Sequence, residues 1–355
     1  MPQSLDALLR DFEAGRSAAL ARAVSLVENH RAGYDELMTR LHPRIGRARR
    51  LGITGPPGAG KSTVTNLLVQ QLRASGMRVG VIAVDPTSPF TGGALLGDRV
   101  RMESVALDPG VYIRSMATRG SLGGLSARTA EVADVLDAFG FGWVIIETVG
   151  VGQTELDIAR TADTTVVVLV PESGDSIQTL KAGVMEIADI FVVNKGDRPG
   201  ADRLRNDIEL MLGLRRGATS ANVPAHHGTS LKPFNPGRLA REAARSDDAT
   251  RWTPPVLGTI ASKGEGIDTL LAAVERHFRY LEASGGLHGR RRKRLRTQVT
   301  EIVAERVQSR LWDDPATVAW LDAQLDSLES GQATPFSVAD ALLSQSGPLL
   351  SGVGA

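Results

Sequence analysis

The chain has 355 residues, 42% of them hydrophobic, with 41 basic against 40 acidic side chains and a formal net charge of +1. That length accommodates one large α/β domain with helical additions, and the charge balance excludes a whole-molecule field drawing in nucleic acid or an anionic membrane. The absence of cysteine excludes disulfides, thiolate zinc sites and cysteine nucleophiles.

Met1 to Arg16 carries an amphipathic pattern (Leu5, Leu8, Leu9, Phe12) mixed with acids, unlike the basic and apolar segments of a signal peptide. Residues 4 to about 42 read as two helices with a break at Asn29 to Gly33, and 1–45 is expected to form an N-terminal helical extension. From Arg50 short apolar runs alternate with helical stretches: Leu51–Thr54, Val79–Val84, Val111–Arg114, Trp143–Glu147, Thr165–Val170, Ile190–Asn194 and Val256–Ile260. Runs so uniformly apolar, each followed by a helix, predict a mostly parallel sheet with helices on both faces, a three-layer sandwich spanning 46–282.

Between Gly196 and Pro255 one helix is expected near Ala201–Leu214, followed by an irregular polar insertion. Residues 283–345 read as a C-terminal helical arm with a long amphipathic helix through Leu311 and another at Pro315–Leu328, and 346–355 as a disordered tail. The longest apolar stretch, around Val166–Val170, falls far short of the roughly 18 residues that span a bilayer. A cytoplasmic protein without membrane or nucleic-acid partners is expected. The basic run Arg290 to Arg296 is the one feature favouring nucleic acid, and such runs are more often solvated or interface faces.

The run Leu51–Thr54 leads into Gly55, Pro56, Pro57, Gly58, Ala59, Gly60, Lys61, Ser62 and Thr63, with a helix predicted over Val64–Ser75. Strand, loop and helix are the context that a phosphate-binding P-loop requires. Its glycines let backbone N–H groups point inward at phosphates, Lys61 neutralises β/γ charge, and the Ser62 hydroxyl suits Mg²⁺. About 130 residues later Asn194-Lys195-Gly196-Asp197 ends a strand. A carboxylate there accepts N1–H and N2–H₂ from guanine, a donor pair that adenine lacks, so GTP and GDP are the expected ligands. Ile260, Ala261 and Ser262 stand where a backbone N–H meets guanine O6.

Asp85 and Glu147 end strands, and Asp98 lies in a Gly-rich segment, positions from which carboxylates face metal and phosphate. Glu147-Thr-Val-Gly150 occupies the place of a switch whose glycine N–H meets the γ-phosphate. Val151 stands where Ras-like proteins carry the water-positioning glutamine, and Gln153 comes late, so slow intrinsic hydrolysis is expected, with Arg101 and Lys181 as candidate catalytic cations. A P-loop kinase has no reason to carry Asn194 to Asp197, and a metallocenter-assembly GTPase usually shows a His- or Cys-rich loading segment, whereas here only His226 and His227 adjoin.

Gly55 to Thr63, Val84 to Met102, Thr118 to Gly124, Glu147 to Gln153 and Met185 to Asp197 together resemble the MeaB/ArgK GTPases, G-protein chaperones of adenosylcobalamin-dependent acyl-CoA mutases. The resemblance covers residues 5 to about 330 and implies a homodimer joined through the C-terminal arm. It also implies that Lys61, Ser62, Asp85, Asp98 and Glu147 form the Mg²⁺ and phosphate environment, and that Pro171–Lys181 is an additional switch facing the mutase. The implied function is gating of cofactor loading on a mutase of the methylmalonyl-CoA type. An older reading of such proteins as transport-system kinases finds no phosphoacceptor site here.

Overall fold

The computed structural model describes residues 4–86, 103–118, 124–148, 154–171, 183, 185–215 and 252–347. They fall into two compact units, Met1–Arg291 and Arg292–Ala355. In chain order the first unit has helices α1 (Leu5–Glu13), α2 (Ser17–Glu28) and α3 (Tyr34–Leu41), then β1 (Arg49–Thr54), α4 (Lys61–Ala74), β2 (Val79–Pro86), α5 (Glu103–Ala106) and β3 (Val111–Thr118). It continues with α6 (Gly124–Phe139), β4 (Trp143–Thr148), α7 (Thr154–Thr161), β5 (Thr164–Leu169), the single turn α8 (Met185–Ile187), β6 (Ile190–Val193), α9 (Ala201–Arg215), β7 (Val256–Gly258) and α10 (Ile267–Ala283).

All seven expected runs are strands, pairing in parallel in the order β3-β2-β4-β1-β5-β6-β7. On one face Leu51, Ile53, Trp143, Ile145, Val166 and Val168 pack against Val64 and Leu68 of α4 and Leu270 and Phe278 of α10. On the other, Ile82, Val144 and Ile146 pack against α1, α2, α3, α6 and α7, while Phe191 and Val193 meet Leu204 and Ile208 of α9. Burial on both faces explains why these strands read as continuous apolar runs.

The N-terminal segment holds three helices where periodicity predicted two. Gly15, at φ +74°, ends α1 in a left-handed turn that a side chain would strain. These helices share a core with the sheet: Phe12 meets Phe139 edge-on at 4.8 Å, and Tyr34 donates to buried Glu131 at 2.6 Å. Asp137 of α6 accepts from the N–H groups of Gly46 and Ala48 at 2.6 and 2.9 Å, fixing the entry into β1.

The basic run begins inside this unit, at the amino ends of β5 and β6. Arg290 donates two bonds of 2.8 Å to Asp189, the residue before β6, and one of 2.7 Å to the Asp163 carbonyl. Arg291 reaches Asp163 at 3.1 Å and the Ala48 carbonyl at 2.9 Å. Beside them His277 is wholly buried, with Nδ1 2.8 Å from the Thr164 hydroxyl and Nε2 3.3 Å from Asp189. Burial first of all, with Arg290 adding to it, pushes the imidazole pKa down to about 4 against the pull of Asp189 and Asp163. The contact with Asp189 is therefore that of a neutral ring at pH 7.

α11 (Gly286–Trp312) crosses into the second unit, which also contains α12 (Pro315–Asp322), α13 (Leu325–Glu329) and α14 (Pro335–Gln345). The stretch expected as one helix from Pro315 to Leu328 breaks at Ala323-Gln324. Asp314 caps α12 through the Thr317 N–H, and Thr334 forms a capping box with Ser337 at the start of α14. Residues 348–355 of the expected tail lie outside the described residues, while Ser346 is buried with its hydroxyl on the Leu342 carbonyl.

Candidate functional site

The loop after central strand β1 is shaped by backbone that only glycine serves. Gly55 has φ +136°, and a Cβ there would sit 2.0 Å from the Val168 carbonyl oxygen. Gly58 and Gly60 are also left-handed, at φ +74° and +88°. Gly60 caps α4, so that helix presents its unpaired N–H groups and positive dipole end to the loop, an arrangement that favours phosphate. Lys61 is buried and donates to the carbonyls of Gly55 at 2.8 Å and Pro56 at 3.0 Å, which holds its ammonium inside the loop. Pro57 and Thr63 are exposed on the outside of the loop and of α4.

Ser62, one residue on, donates to Glu147 Oε1 at 2.5 Å. The register Ile53↔Glu147 puts that carboxylate beside the P-loop strand, buried on the α4 face. A hydroxyl and a carboxylate are hard oxygen donors of the kind Mg²⁺ takes, the rest of its shell being water and phosphate oxygens. The donor set therefore fits Mg²⁺. Among the described residues no three histidines, aspartates or glutamates gather as a metal cluster. Asp85 lies at the carboxyl end of β2, beside Ala117 of β3, and its side chain lies outside the described residues, as do Asp98, Arg101, Gly150, Gln153, Lys181, His226, His227 and the segment 172–182.

On the opposite flank the turn after β6 is held in place by Asn194. Its amide donates to the Ala59 carbonyl at 2.8 Å, and its oxygen accepts from the Thr259 hydroxyl at 3.0 Å and the Ala261 N–H at 3.1 Å. Lys195 takes a left-handed φ of +56°, and the Gly196 N–H meets the Thr259 carbonyl at 3.0 Å. This turn leaves Asp197 exposed, free of the packing that fixes Asn194. Ile260 and Ala261 are buried and Ser262 exposed, in a short helical turn closed by Gly264 at φ +74°. The Ala261 N–H, one of the predicted guanine contacts, is committed to Asn194.

The structure thus gathers Gly55 to Thr63, Glu147, Asn194, Lys195, Asp197 and Ile260 to Ser262 at the carboxyl ends of β1, β4, β6 and β7, the ligand side of a parallel sheet. Sequence reasoning missed Thr54, Thr148 and Thr259. Thr148 donates to Thr54 at 2.8 Å across β4 and β1, and only their position as last residues of neighbouring strands marks them out.

A parallel sheet with a phosphate loop after its central strand, a carboxylate on the loop serine and a guanine-type turn two strands away defines a P-loop GTPase. The chain belongs to the family described as methylmalonyl Co-A mutase-associated GTPase MeaB, which it matches over residues 20–316. A Pyrococcus horikoshii protein named as a GTPase is 42% identical over 341 residues, 96% of this chain and 98% of its own. A mouse protein named methylmalonic aciduria type A homolog, mitochondrial, is 31% identical over 353 residues, 96% of this chain and 79% of its own. A crystal structure described as that of a LAO/AO transport system kinase superposes with a TM-score of 0.63 at 26% identity, covering 97% of this chain and 99% of that one.

Proposed function

We propose that this GTPase uses Mg²⁺ and the energy of GTP binding and hydrolysis to gate adenosylcobalamin loading on an acyl-CoA mutase of the methylmalonyl-CoA type, and to protect or reactivate that enzyme. The observation that carries the nucleotide chemistry is the convergence of buried Lys61, the Ser62–Glu147 pair and the Asn194 brace at one end of the sheet. Lys61 exchanges the Gly55 and Pro56 carbonyls for β- and γ-phosphate oxygens. Ser62 and Glu147 hold Mg²⁺, joined by Asp85 and Asp98 from strand end and loop. The metal supplies neutralisation of charge on the transferring phosphoryl group. Asp197, exposed at the rim, accepts the guanine N1–H and N2–H₂. Gly150 donates its N–H to the γ-phosphate.

The mutase as partner is supported by the family's description as mutase-associated. A switch that reports nucleotide state to a partner is coupled reciprocally, so the mutase changes nucleotide affinity or turnover in return. The homodimer is supported by α11, where Leu295, Val299, Val303 and Val307 recur every fourth residue and are all exposed. Among the described residues no helix is long and apolar enough to cross a membrane.

Steady-state hydrolysis of GTP and of ATP, alone and with a purified adenosylcobalamin-dependent mutase from the same genome, tests the proposal. Guanine-selective turnover stimulated by the mutase is the expected result. Guanine-selective turnover indifferent to every such mutase removes the partner, and a preference for ATP removes the nucleotide assignment.

A further inference from the structure

Successive side chains of a strand point to opposite faces, so the last two residues of β4 are pinned from both sides of the sheet. Glu147, on the α4 face, accepts from Ser62 at 2.5 Å. Thr148, on the other face, donates to Thr54 at 2.8 Å. The register Ile53↔Glu147 makes Thr54 and Thr148 direct neighbours, and their relative exposures are 0% and 3%. Two valines would fill this space equally well, and a buried hydroxyl is a burden unless it is bonded. The pair is thus a specific device rather than packing. It also sits at a junction, because Thr54 precedes Gly55 of the P-loop and Thr148 stands two residues before Gly150.

We propose that Thr148 is a positioning residue for GTP hydrolysis: its bond to Thr54 holds the end of β4, two residues before Gly150 in the chain, in register with the P-loop strand. The inference rests on the nucleotide chemistry proposed above. When Ser62 turns its hydroxyl to Mg²⁺, its bond to Glu147 is given up. Thr148–Thr54, on the face away from α4, is a side-chain tie beside the backbone ladder that does not depend on Ser62. GDP, which lacks the γ-phosphate, needs the P-loop and the Asn194 turn but makes no demand on Gly150. The bond therefore serves GTP and its transition state more than it serves GDP.

The test compares Thr148→Val, Thr148→Ser and Thr54→Val with the parent, measuring GDP affinity, affinity for a non-hydrolysable GTP analogue, and kcat. Thr148→Val is expected to lower kcat and the analogue-over-GDP preference about tenfold, the effect of one lost buried hydrogen bond, with GDP affinity within about twofold. Thr148→Ser, which keeps the hydroxyl, restores the parental values. Thr54→Val removes the acceptor from the other strand and gives the same split, so the role is tested even where Thr148→Val fails to fold. Parental kcat in either valine variant, or GDP affinity falling in parallel with kcat, overturns the positioning role. A parent that does not turn over GTP removes the nucleotide assignment, and the role with it.

Discussion

The Asn194 amide donates to the Ala59 carbonyl at 2.8 Å, fastening the turn after β6 to the P-loop. Because the same side chain accepts from Thr259 and Ala261, it links the P-loop, its own turn and the loop after β7. Its part in the site is to set the distance between phosphate and base recognition.

Asn194→Ala removes all three bonds from a buried position. At roughly 1 kcal/mol each, the expected loss of GDP affinity is about 100-fold, read by calorimetric titration. Asn194→Asp keeps the two acceptor bonds but sets a buried carboxylate oxygen against the Ala59 carbonyl, and is expected to bind GDP no better than the alanine variant. Affinity within about threefold of the parent in the alanine variant would show that the loops hold their spacing without it.

Gly55 and Gly60 differ in what a methyl group would strike. At Gly55 it meets the Val168 backbone oxygen at 2.0 Å, and at Gly60 the end of the Asn194 side chain at 2.4 Å. Backbone cannot step aside as a side chain can. Gly55→Ala is therefore expected to destabilise the first unit by about 3 kcal/mol or more, and Gly60→Ala by about 1–2 kcal/mol. Thermal unfolding monitored by circular dichroism ranks the two, and the reverse order would contradict the geometry.

His277 makes stability depend on pH. Its pKa falls from an ordinary 6.5 to about 4 on folding, so between those values the unfolded chain binds more protons than the folded one. Stability then rises with pH across that window: the contribution is fully present above about 6.5, is lost as pH falls, and levels off below about 4. Integrated over the window the effect is on the order of 3 kcal/mol. Urea unfolding of the parent and His277→Gln at pH 5 and pH 7 checks it: the parent is expected to lose more stability than the variant on acidification.

Val299 and Val303 lie one turn apart on α11 and are 62% and 55% exposed. If the apolar stripe joins two copies, Val299→Asp with Val303→Asp places four carboxylates at the seam and is expected to give monomers by sedimentation, with the far-ultraviolet spectrum unchanged. A parent that already sediments as a monomer would refute the dimer outright.

The sheet was legible because its inner strands are buried on both faces, and the phosphate loop because its residues are contiguous. Contacts between distant residues were not. Arg290 and Arg291 read as members of a basic run forming a solvated or interface face, yet their partners Asp189 and Asp163 lie over 100 residues away. The signal was present in Ala162-Asp163-Thr164 and Ala188-Asp189-Ile190, an aspartate before each of two buried strands. Asn194 was read as a guanine residue from its motif, but its grip on Ala59 requires the fold. The break at Gly15 was hidden because apolar spacing continues across it, and the split at Ala323-Gln324 carries no glycine or proline to announce it.

β6 is a strand of fixed length. Asp189 at its start receives Arg290, Asn194 just past its end grips the P-loop, and four residues separate them. Its side chains alternate between two cores, Ile190 and Val192 on one face and Phe191 and Val193 on the other. A single inserted or deleted residue would turn Phe191 and Val193 to the wrong face and detach one end or the other. Surface loops tolerate insertions and deletions, whereas this buried span behaves as a ruler whose length is closed to change.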